Sequence, residues 1–225
     1  MRQRRKSTVR KTAAKKADVA ILESAERLFA IEGVNAVSLR QVAIDAKVDA
    51  ASITYHFGNK ESLVEAVIAR RVAAMNEARL KALADVLTRT RNQPSVEDVL
   101  DAMYRPWLEY HTSGDPGWRY YSMLVARMTL TPSLAGIFHR HMGEVERHFN
   151  NAFRLALPTI DEVHLNWGMM LTLGCGIFIF SETPRIDLVS EGLVSAKEIN
   201  AGYRQFIEYA AFGLRRLAEN PNRKP

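Results

Sequence analysis

The sequence has almost no cysteine and no apolar run long enough to cross a bilayer. Cys175 is the only cysteine among 225 residues, so no disulfide can form within the chain, and a reducing compartment fits. The longest apolar run, from Trp167 to Phe180, is too short to span the hydrocarbon core. The basic start leads into an amphipathic stretch, which lacks the apolar core and cleavage site of a secretory signal. These absences predict a cytoplasmic protein with no membrane partner.

Acidic residues are missing from the first 17 positions, where eight basic residues lie: Arg2, Arg4, Arg5, Lys6, Arg10, Lys11, Lys15 and Lys16. The whole chain has a formal net charge of +6, so the remainder carries a net charge of −2. We expect residues 1–17 to form a disordered basic arm. Such an arm stays solvated until it meets a polyanion. It is interpreted either as a DNA-tracking segment that binds with counterion release or as a terminus that aids solubility.

The remainder of the chain has the composition and periodicity of a helical protein. Hydrophobic residues make up 47% of the sequence, which is enough for a sizeable core. Apolar residues recur at helical spacing, with no long alternating run and no Asn-Gly hairpin signal. Residues that favour helix N-caps precede the periodic segments, and two glycines end helices: Asp18, Ser38, Asp49, Asn59 and Ser95, then Gly33 and Gly58. The prediction is an all-α fold.

The predicted helices form two groups. Three short ones cover about residues 18–33, 38–47 and 49–56, and a long one follows from 59 to about 87. Beyond Pro94, helical patterns cover about 95–112, 118–130, 133–157, 160–180 and 196–218. Two short capped helices cannot bury their apolar faces alone and need the first helix as a third wall. This layout predicts a three-helix helix-turn-helix domain joined by a long helix to an all-helical domain.

The run ILESAERLFAIEGVNAVSLRQVAIDAKVDAASITYHFGNKESLVEAV resembles the DNA-binding domain of the TetR family of repressors. The resemblance covers residues 20–68 and rests most on Tyr55-His56-Phe57 followed by Lys60 and Leu63. It implies a DNA-binding domain over 18–63 and a ligand-binding and dimerisation domain over 64–220. The C-terminal part is most similar to the subgroup that responds to fatty acids or acyl-CoA, in the runs 135–153 and 166–181.

The predicted DNA-contacting residues lie at the start of the second helix and along the third: Ser38, Arg40, Gln41, Ala50, Ala51, Ser52, Thr54, Tyr55, His56 and Lys60. Arg40 can read guanine or meet a phosphate, while the small residues of the third helix can contact thymine methyls or accept hydroxyl bonds. Tyr55, His56 and Lys60 match positions that bind phosphates in the family, although His56 can instead cap the third helix. Lys47 departs from the family by replacing the usual turn glycine.

The C-terminal helices supply a predicted dimer surface and a predicted pocket. The segments 163–181 and 201–217 are strongly apolar and are expected to pair across a two-fold axis. The alternative is that both belong to the core of one chain. Large apolar or amphipathic side chains on helices expected to converge are candidates for binding a small hydrophobic effector: Trp107, His111, Trp118, Met123, Met128, Phe138 and Trp167.

These patterns favour a transcriptional regulator over other classes. The leading interpretation is a repressor that binds a palindromic operator as a homodimer and is released by the effector. One alternative is a sequence-nonspecific DNA-compaction protein. An enzyme is not expected, because the sequence has no glycine-rich phosphate loop, nucleophile elbow or paired carboxylates. Neither a cofactor nor a metal is expected, since the histidines and the glutamate on and near the 133–157 helix are interpreted as a solvated face: His139, His141, Glu144, His148 and His164.

Overall fold

The computed structural model describes the backbone of residues 2–219 and the side chains of residues 16–134, 136–137 and 139–219. All regular structure in this part of the chain is helical, which confirms the all-α prediction. The helices are α1 (Arg2–Glu32), α2 (Leu39–Ala46), α3 (Ala50–Phe57), α4 (Lys60–Arg89), α5 (Val96–His111), α6 (Pro116–Thr129), α7 (Ala135–Ala156), α8 (Glu162–Phe180), α9 (Arg185–Val189) and α10 (Ile199–Ala218), with one 3₁₀ turn at Pro132–Leu134.

Local capping chemistry places most helix starts where the sequence predicts them. Ser38 and Gln41 form the expected capping box of α2: the Ser38 amide donates to Gln41 Oε1 at 2.7 Å, and the Gln41 amide donates to Ser38 Oγ at 3.2 Å. The Asp49 carboxylate accepts from the Ala51 amide at 3.0 Å and begins α3. Each cap satisfies a backbone N–H that the helix itself leaves without a partner.

The start of α1 differs from the prediction. The helix begins at Arg2, so the expected cap at Asp18 is wrong, and the backbone of the segment expected to be disordered continues the same helix. Residues 2–32 contain neither glycine nor proline and are rich in alanine, lysine and arginine, which are good helix formers. Asp18 instead places its Oδ1 2.8 Å from Nδ1 of His56 on α3.

One further difference lies near the C-terminal end, where the short helix α9 was not predicted. Helix α8 lies within the predicted helical segment 160–180 and has 19 residues. By length and composition alone it could cross a membrane, but a buried core helix passes the same test. Residues along one side of α8, including Leu165, Thr172 and Phe180, are nevertheless buried within the chain.

Helix α4 connects two packed groups of helices. The first three helices and the start of α4 share a core in which Phe29, Val42, Ile53 and Leu63 have no exposed surface. From there α4 runs for 30 residues, about 45 Å, and packs against α5 and α7, while α10 packs against α5 and α8. Because α1 also packs along α6, the two groups contact each other directly as well as through α4.

Candidate DNA-binding surface and effector region

Helix α1 holds α2 through a small polar cluster. The Ser24 hydroxyl lies 2.6 Å from Asp45 Oδ2 and 3.3 Å from the Val42 carbonyl oxygen, and Arg27 forms an ion pair with Asp45. The hydrogen bond from Ser24, and then that from Arg27, lower the pKa of the Asp45 carboxyl. These contacts fix the orientation of α2 against α1 and therefore the position of α3 across the turn.

The turn between α2 and α3 is built around a lysine in a left-handed conformation. Lys47 has φ 55° and ψ 44° and is the C-cap of α2. The following residue, Val48, donates its amide to the Ala43 carbonyl at 3.0 Å and closes the turn. A non-glycine residue in this region costs on the order of 1 kcal/mol. The turn expected from the helix-turn-helix pattern is therefore present, with lysine in the position that suits glycine.

The outward face of α3 is made of small side chains. Ala50, Ala51 and Thr54 are exposed and Ser52 is half-buried, while Ile53 points into the core with no exposed surface. Tyr55 is 86% exposed at the end of this face. A helix face of this kind approaches a groove floor closely and offers methyl and hydroxyl groups, so the predicted reading residues share one accessible surface.

The start of α2 adds a free cation to that surface. Arg40 is exposed and forms no ion pair with any described residue, and Ser38 is exposed beside it. Gln41 is also exposed, but its Oε1 accepts from both the amide and the hydroxyl of Ser38. Arg40 is therefore available to an outside partner, whereas the acceptor oxygen of Gln41 is committed to the cap.

The two remaining predicted phosphate-binding residues have partners within the chain. His56 is half-buried and lies beside Asp18, and its ring meets that of Tyr55 edge to face at 5.1 Å. The Lys60 ammonium donates to the carbonyl of Asn35 at 3.4 Å. The C-terminal turn of α3 is closed by the Gly58 amide, which donates to the Thr54 carbonyl at 2.9 Å.

In the C-terminal part, two of the predicted effector-binding residues converge on Phe180 of α8. The Trp107 ring stacks on Phe180 with centroids 4.6 Å apart, and the His111 ring lies 5.8 Å away. Trp107 Nε1 donates to Ser122 Oγ at 2.7 Å, and His111 Nε2 lies 2.9 Å from Glu182 Oε1. Burial lowers the pKa of His111, which favours the neutral imidazole.

The other predicted effector residues do not all join this group. Trp118 is half-buried and stacks on Tyr110 with centroids 3.9 Å apart. Met128 is buried and Met123 is half-buried on the same helix, α6. The side chain of Phe138 lies outside the described residues. Trp167 of α8 is 61% exposed, so it lies outside the buried group around Phe180.

Two family models match the sequence in the two parts that the fold distinguishes. The model of bacterial regulatory proteins of the tetR family matches residues 21–67, and the model of the tetracyclin repressor-like C-terminal domain matches residues 101–213. The second match alone covers half of the chain. The chain belongs to the TetR family.

Solved structures of TetR-family proteins share the fold. A protein from Shewanella sp. PV-4, described as a tetR family transcription regulator, aligns over 86% of this chain and 97% of its own, with 16% identity and a TM-score of 0.57. One from Rhodococcus sp. aligns over 89% of this chain and 99% of its own, with 13% identity and a TM-score of 0.51. At these identities the comparison supports the fold alone. No curated protein matches the sequence.

TetR-family proteins are transcriptional regulators that typically combine a DNA-binding helix-turn-helix with a ligand-binding C-terminal domain. In this TetR-family protein, α8 and α10 pack together through a close contact: a Cβ atom on Gly168 would lie 2.6 Å from Leu214 Cδ2. Their outward sides carry large exposed apolar side chains, with exposures between 53% and 71%: Val163, Trp167, Met170, Leu171, Phe178, Tyr209 and Phe212. Each helix is therefore core on one side and an apolar surface on the other.

Polar contacts connect the helices, and the partners in these contacts were not evident from the sequence. Glu26 of α1 has 2% of its side chain exposed and pairs with Arg71 of α4, with Oε1 2.7 Å from Nε. Arg71 also lies 3.2 Å from Asp115 Oδ2 before α6 and over the ring of Trp118. Burial raises the pKa of Glu26, while hydrogen bonding and charge from Arg71 oppose that rise.

Arg79 is a further buried polar residue that the sequence interpretation did not single out. It lies on α4 in line with Val72, Met75 and Leu83, all of which are buried. These residues recur every three or four positions, as an apolar helix face does. A basic residue at one of these positions indicates a buried polar site.

Proposed function

We propose that this TetR-family protein is a repressor that binds a palindromic operator as a homodimer and leaves it when a small, largely apolar effector binds. The observation that carries the DNA-binding step is the accessible face of α3, with its small side chains next to the free guanidinium of Arg40. The proposal divides the chain into an arm over 1–17, a DNA-binding domain over 18–63 and an effector and dimerisation domain over 64–220.

The charges of residues 18–70 explain why the contact is expected to depend on few cations. Arg27 and Arg70 are neutralised by Asp45 and Glu23, respectively. Arg40 and Lys47 are exposed and have no ion pair among the described residues. We propose that these two side chains and the basic arm supply the attraction to phosphates, while the α3 face reads bases.

The homodimer proposal is supported by the exposed apolar sides of α8 and α10. Monomeric soluble proteins seldom expose a contiguous apolar patch of this kind, and a second copy of the same surface can cover it across a two-fold axis. A dimer also presents two reading helices to two half-sites, which matches a palindrome. The alternative that these helices are only monomer core leaves Trp167 and Phe212, 61% and 69% exposed, without a role.

The dimer is tested by the double substitution Leu171→Glu/Phe212→Glu, which places charges in the centre of the patch. We expect sedimentation equilibrium to change from a dimer to a monomer. The control is Leu130→Glu, because Leu130 is 71% exposed at the end of α6, outside this surface. A monomeric native chain contradicts the homodimer, and a double variant that stays dimeric contradicts the assignment of its interface to α8 and α10.

DNA binding is tested by selection from a randomised duplex pool with excess unlabelled competitor. We expect enrichment of one inverted repeat, and we expect Arg40→Ala to weaken binding to that repeat by about tenfold or more. Arg147→Ala is the matched control, since Arg147 is exposed on α7 and forms no ion pair with a described residue. A pool that stays random while all duplexes bind equally favours the DNA-compaction alternative and rejects the operator.

The contribution of the arm is tested by removing residues 1–16, which hold all eight basic residues of the amino-terminal segment. Because each phosphate contact releases counterions, the truncated chain is expected to bind DNA less tightly and with a shallower dependence on salt concentration. An unchanged slope of the logarithm of affinity against the logarithm of salt concentration shows that the arm does not contact DNA.

A further inference from the structure

A buried arginine that forms no ion pair with any described residue lies among the helices of the C-terminal part. Arg79 is 5% exposed and sits on the buried face of α4. Its Nε donates to the Met103 carbonyl at 3.0 Å, and Nη1 lies 3.7 Å from Met142 Sδ. No other acceptor among the described residues receives a hydrogen bond from Arg79, although a guanidinium has five donors. Its charge and most of its donors are therefore unmatched.

The surroundings only partly compensate this charge. The Trp107 ring lies 5.3 Å from Arg79 Cζ, which gives a favourable cation–π contact. The half-buried carboxylate of Glu146 acts on Arg79 from a distance but forms no ion pair with it. Buried charges in proteins are ordinarily paired, so the described residues leave this one in an unusual state.

Two buried tyrosines lie on helices that pack against α4, which carries Arg79. Tyr104 of α5 and Tyr121 of α6 have 0% and 1% exposure, and neither hydroxyl has a hydrogen-bond partner among the described residues. The Tyr104 ring stacks on that of Trp107 with centroids 6.5 Å apart, and the same indole borders Arg79. Tyr121 is next in sequence to Ser122, whose hydroxyl accepts from Trp107 Nε1 at 2.7 Å. Burial raises the pKa of Tyr121 to about 12 and also raises that of Tyr104, so both hydroxyls keep their protons as donors.

We infer that Arg79, Tyr104 and Tyr121 form the anchor for a carboxylate group on the effector. A carboxylate accepts up to four hydrogen bonds and carries the charge that a guanidinium matches. The apolar body of the same molecule would lie among Trp107 and Met142, which border Arg79. This inference rests on the proposed effector-dependent regulator and assigns the polar chemistry of its ligand: a small organic monocarboxylate with an apolar body.

The test uses calorimetric titration of the full chain, without DNA, with two matched pairs of probes: benzoate and benzamide, and octanoate and octanamide. Each amide keeps the shape of its acid and removes the charge. We expect one of the acids to bind at least about tenfold more tightly than its amide, because a buried guanidinium forms stronger hydrogen bonds with a carboxylate than with a neutral amide. Equal affinity within both pairs, or no binding of either acid, overturns the inference.

Variants locate the binding. Arg79→Met is expected to weaken binding of the acid by about tenfold or more and to leave binding of the amide unchanged, while Arg79→Lys keeps part of the preference. Tyr104→Phe and Tyr121→Phe are each expected to weaken binding of the acid more than binding of the amide. Arg147→Met on the surface of α7 is the matched control. Full acid affinity in Arg79→Met overturns the assignment.

The melting temperature of unliganded Arg79→Met shows whether the variant is misfolded. Acid binding measured without DNA separates this inference from the repressor hypothesis. Because Arg79→Met replaces an unpaired buried charge with an apolar side chain, its unliganded form is expected to be at least as stable as the native chain. Loss of acid binding with a lowered melting temperature would instead show that Arg79 supports the fold, which overturns the anchor. Acid binding is measured without DNA, so it does not depend on whether an operator is found.

Discussion

Arg71→Met tests whether the ion pair between Arg71 and Glu26 holds α1 against α4 and α6. The substitution removes both hydrogen bonds to the Glu26 carboxylate, at 2.7 and 3.2 Å, and leaves only Arg70 Nη1 at 3.8 Å. Since 2% of the Glu26 side chain is exposed, water cannot replace the lost donors. Breaking a buried pair from one side costs about 3–5 kcal/mol.

The ability of Glu26 to take up a proton limits this cost. In the unfolded chain the carboxyl has the usual pKa of 4.5, so protonating it in the folded variant at pH 7 costs about 3.4 kcal/mol. Near pH 5 the same step costs about 1 kcal/mol. We therefore expect Arg71→Met to lower the free energy of unfolding by about 3–4 kcal/mol at pH 7. Near pH 5 this loss is expected to be smaller by about 2 kcal/mol.

The sign of the pH dependence follows from the direction of the pKa shift. Burial raises the pKa of Glu26 in the folded chain, so the stability that its protonation provides is present below the unfolded pKa and is lost as pH rises through the folded pKa. Arg71 opposes that rise. Replacing Arg71 therefore raises the pKa of Glu26 in the folded chain further. The pH range over which stability falls then extends to higher pH.

The assay is urea unfolding followed by far-UV circular dichroism at fixed protein concentration and two pH values. The double variant Glu26→Gln/Arg71→Met removes the buried charge as well and is expected to recover part of the loss and to show little pH dependence. Arg89→Met is the surface control, because Arg89 is 65% exposed where it pairs with Asp98 and such pairs contribute at most about 1 kcal/mol. A loss below about 1 kcal/mol for Arg71→Met, or a loss that does not shrink at low pH, refutes the reasoning.

Three further substitutions test packing and capping by the same unfolding assay. Gly117→Ala places a Cβ atom 1.8 Å from Arg71 Nη2, so it is expected to displace the guanidinium and lower stability in the pH-dependent manner of Arg71→Met; a neutral effect contradicts that contact. Ser38→Ala removes the α2 cap and is expected to cost about 1 kcal/mol, whereas no loss would show that the cap is dispensable. Gly168→Val brings a Cβ atom 2.6 Å from Leu214 Cδ2 and should lower the free energy of unfolding by about 1–3 kcal/mol, because it overpacks α8 against α10. An unchanged urea midpoint would contradict this contact.

Features set by neighbours in sequence could be predicted from the sequence. The capping boxes at Ser38 and Ser95 join residues three positions apart, so their geometry is fixed by the helix itself. The turn at Lys47 follows from the short distance between two such helices. The start of α1 was missed because the predicted cap residue, Asp18, has a partner on α3 that only the folded chain brings near.

Features set by distant contacts could not be predicted in the same way. Arg71 meets Glu26 and Asp115, which are 45 and 44 positions away, and spacing along one helix does not reveal such partners. Trp167 is predicted both to line the pocket and to belong to the dimer segment 163–181, because α8 is apolar on every side and its sequence gives no indication of the side that faces inward. Its neighbour Leu165 is 1% exposed while Trp167 is 61% exposed, a distinction that depends on where α10 packs.

Two arginines of α4, the buried Arg79 and the half-buried Arg71, connect the proposed anchor to the DNA-binding helices. Arg71 and Arg79 are eight residues apart, about 12 Å along the helix. Tyr121, which we assign to the same anchor as Arg79, meets Trp118 edge to face at 5.7 Å, and the Trp118 ring lies 4.8 Å from Arg71 Cζ. Arg71 in turn pairs with Glu26 of α1. An effector carboxylate that binds Arg79 and Tyr121 would therefore act, through Trp118, on the residues that hold α1. If effector binding lowers the affinity for DNA, bound DNA must lower the affinity for the effector by the same factor.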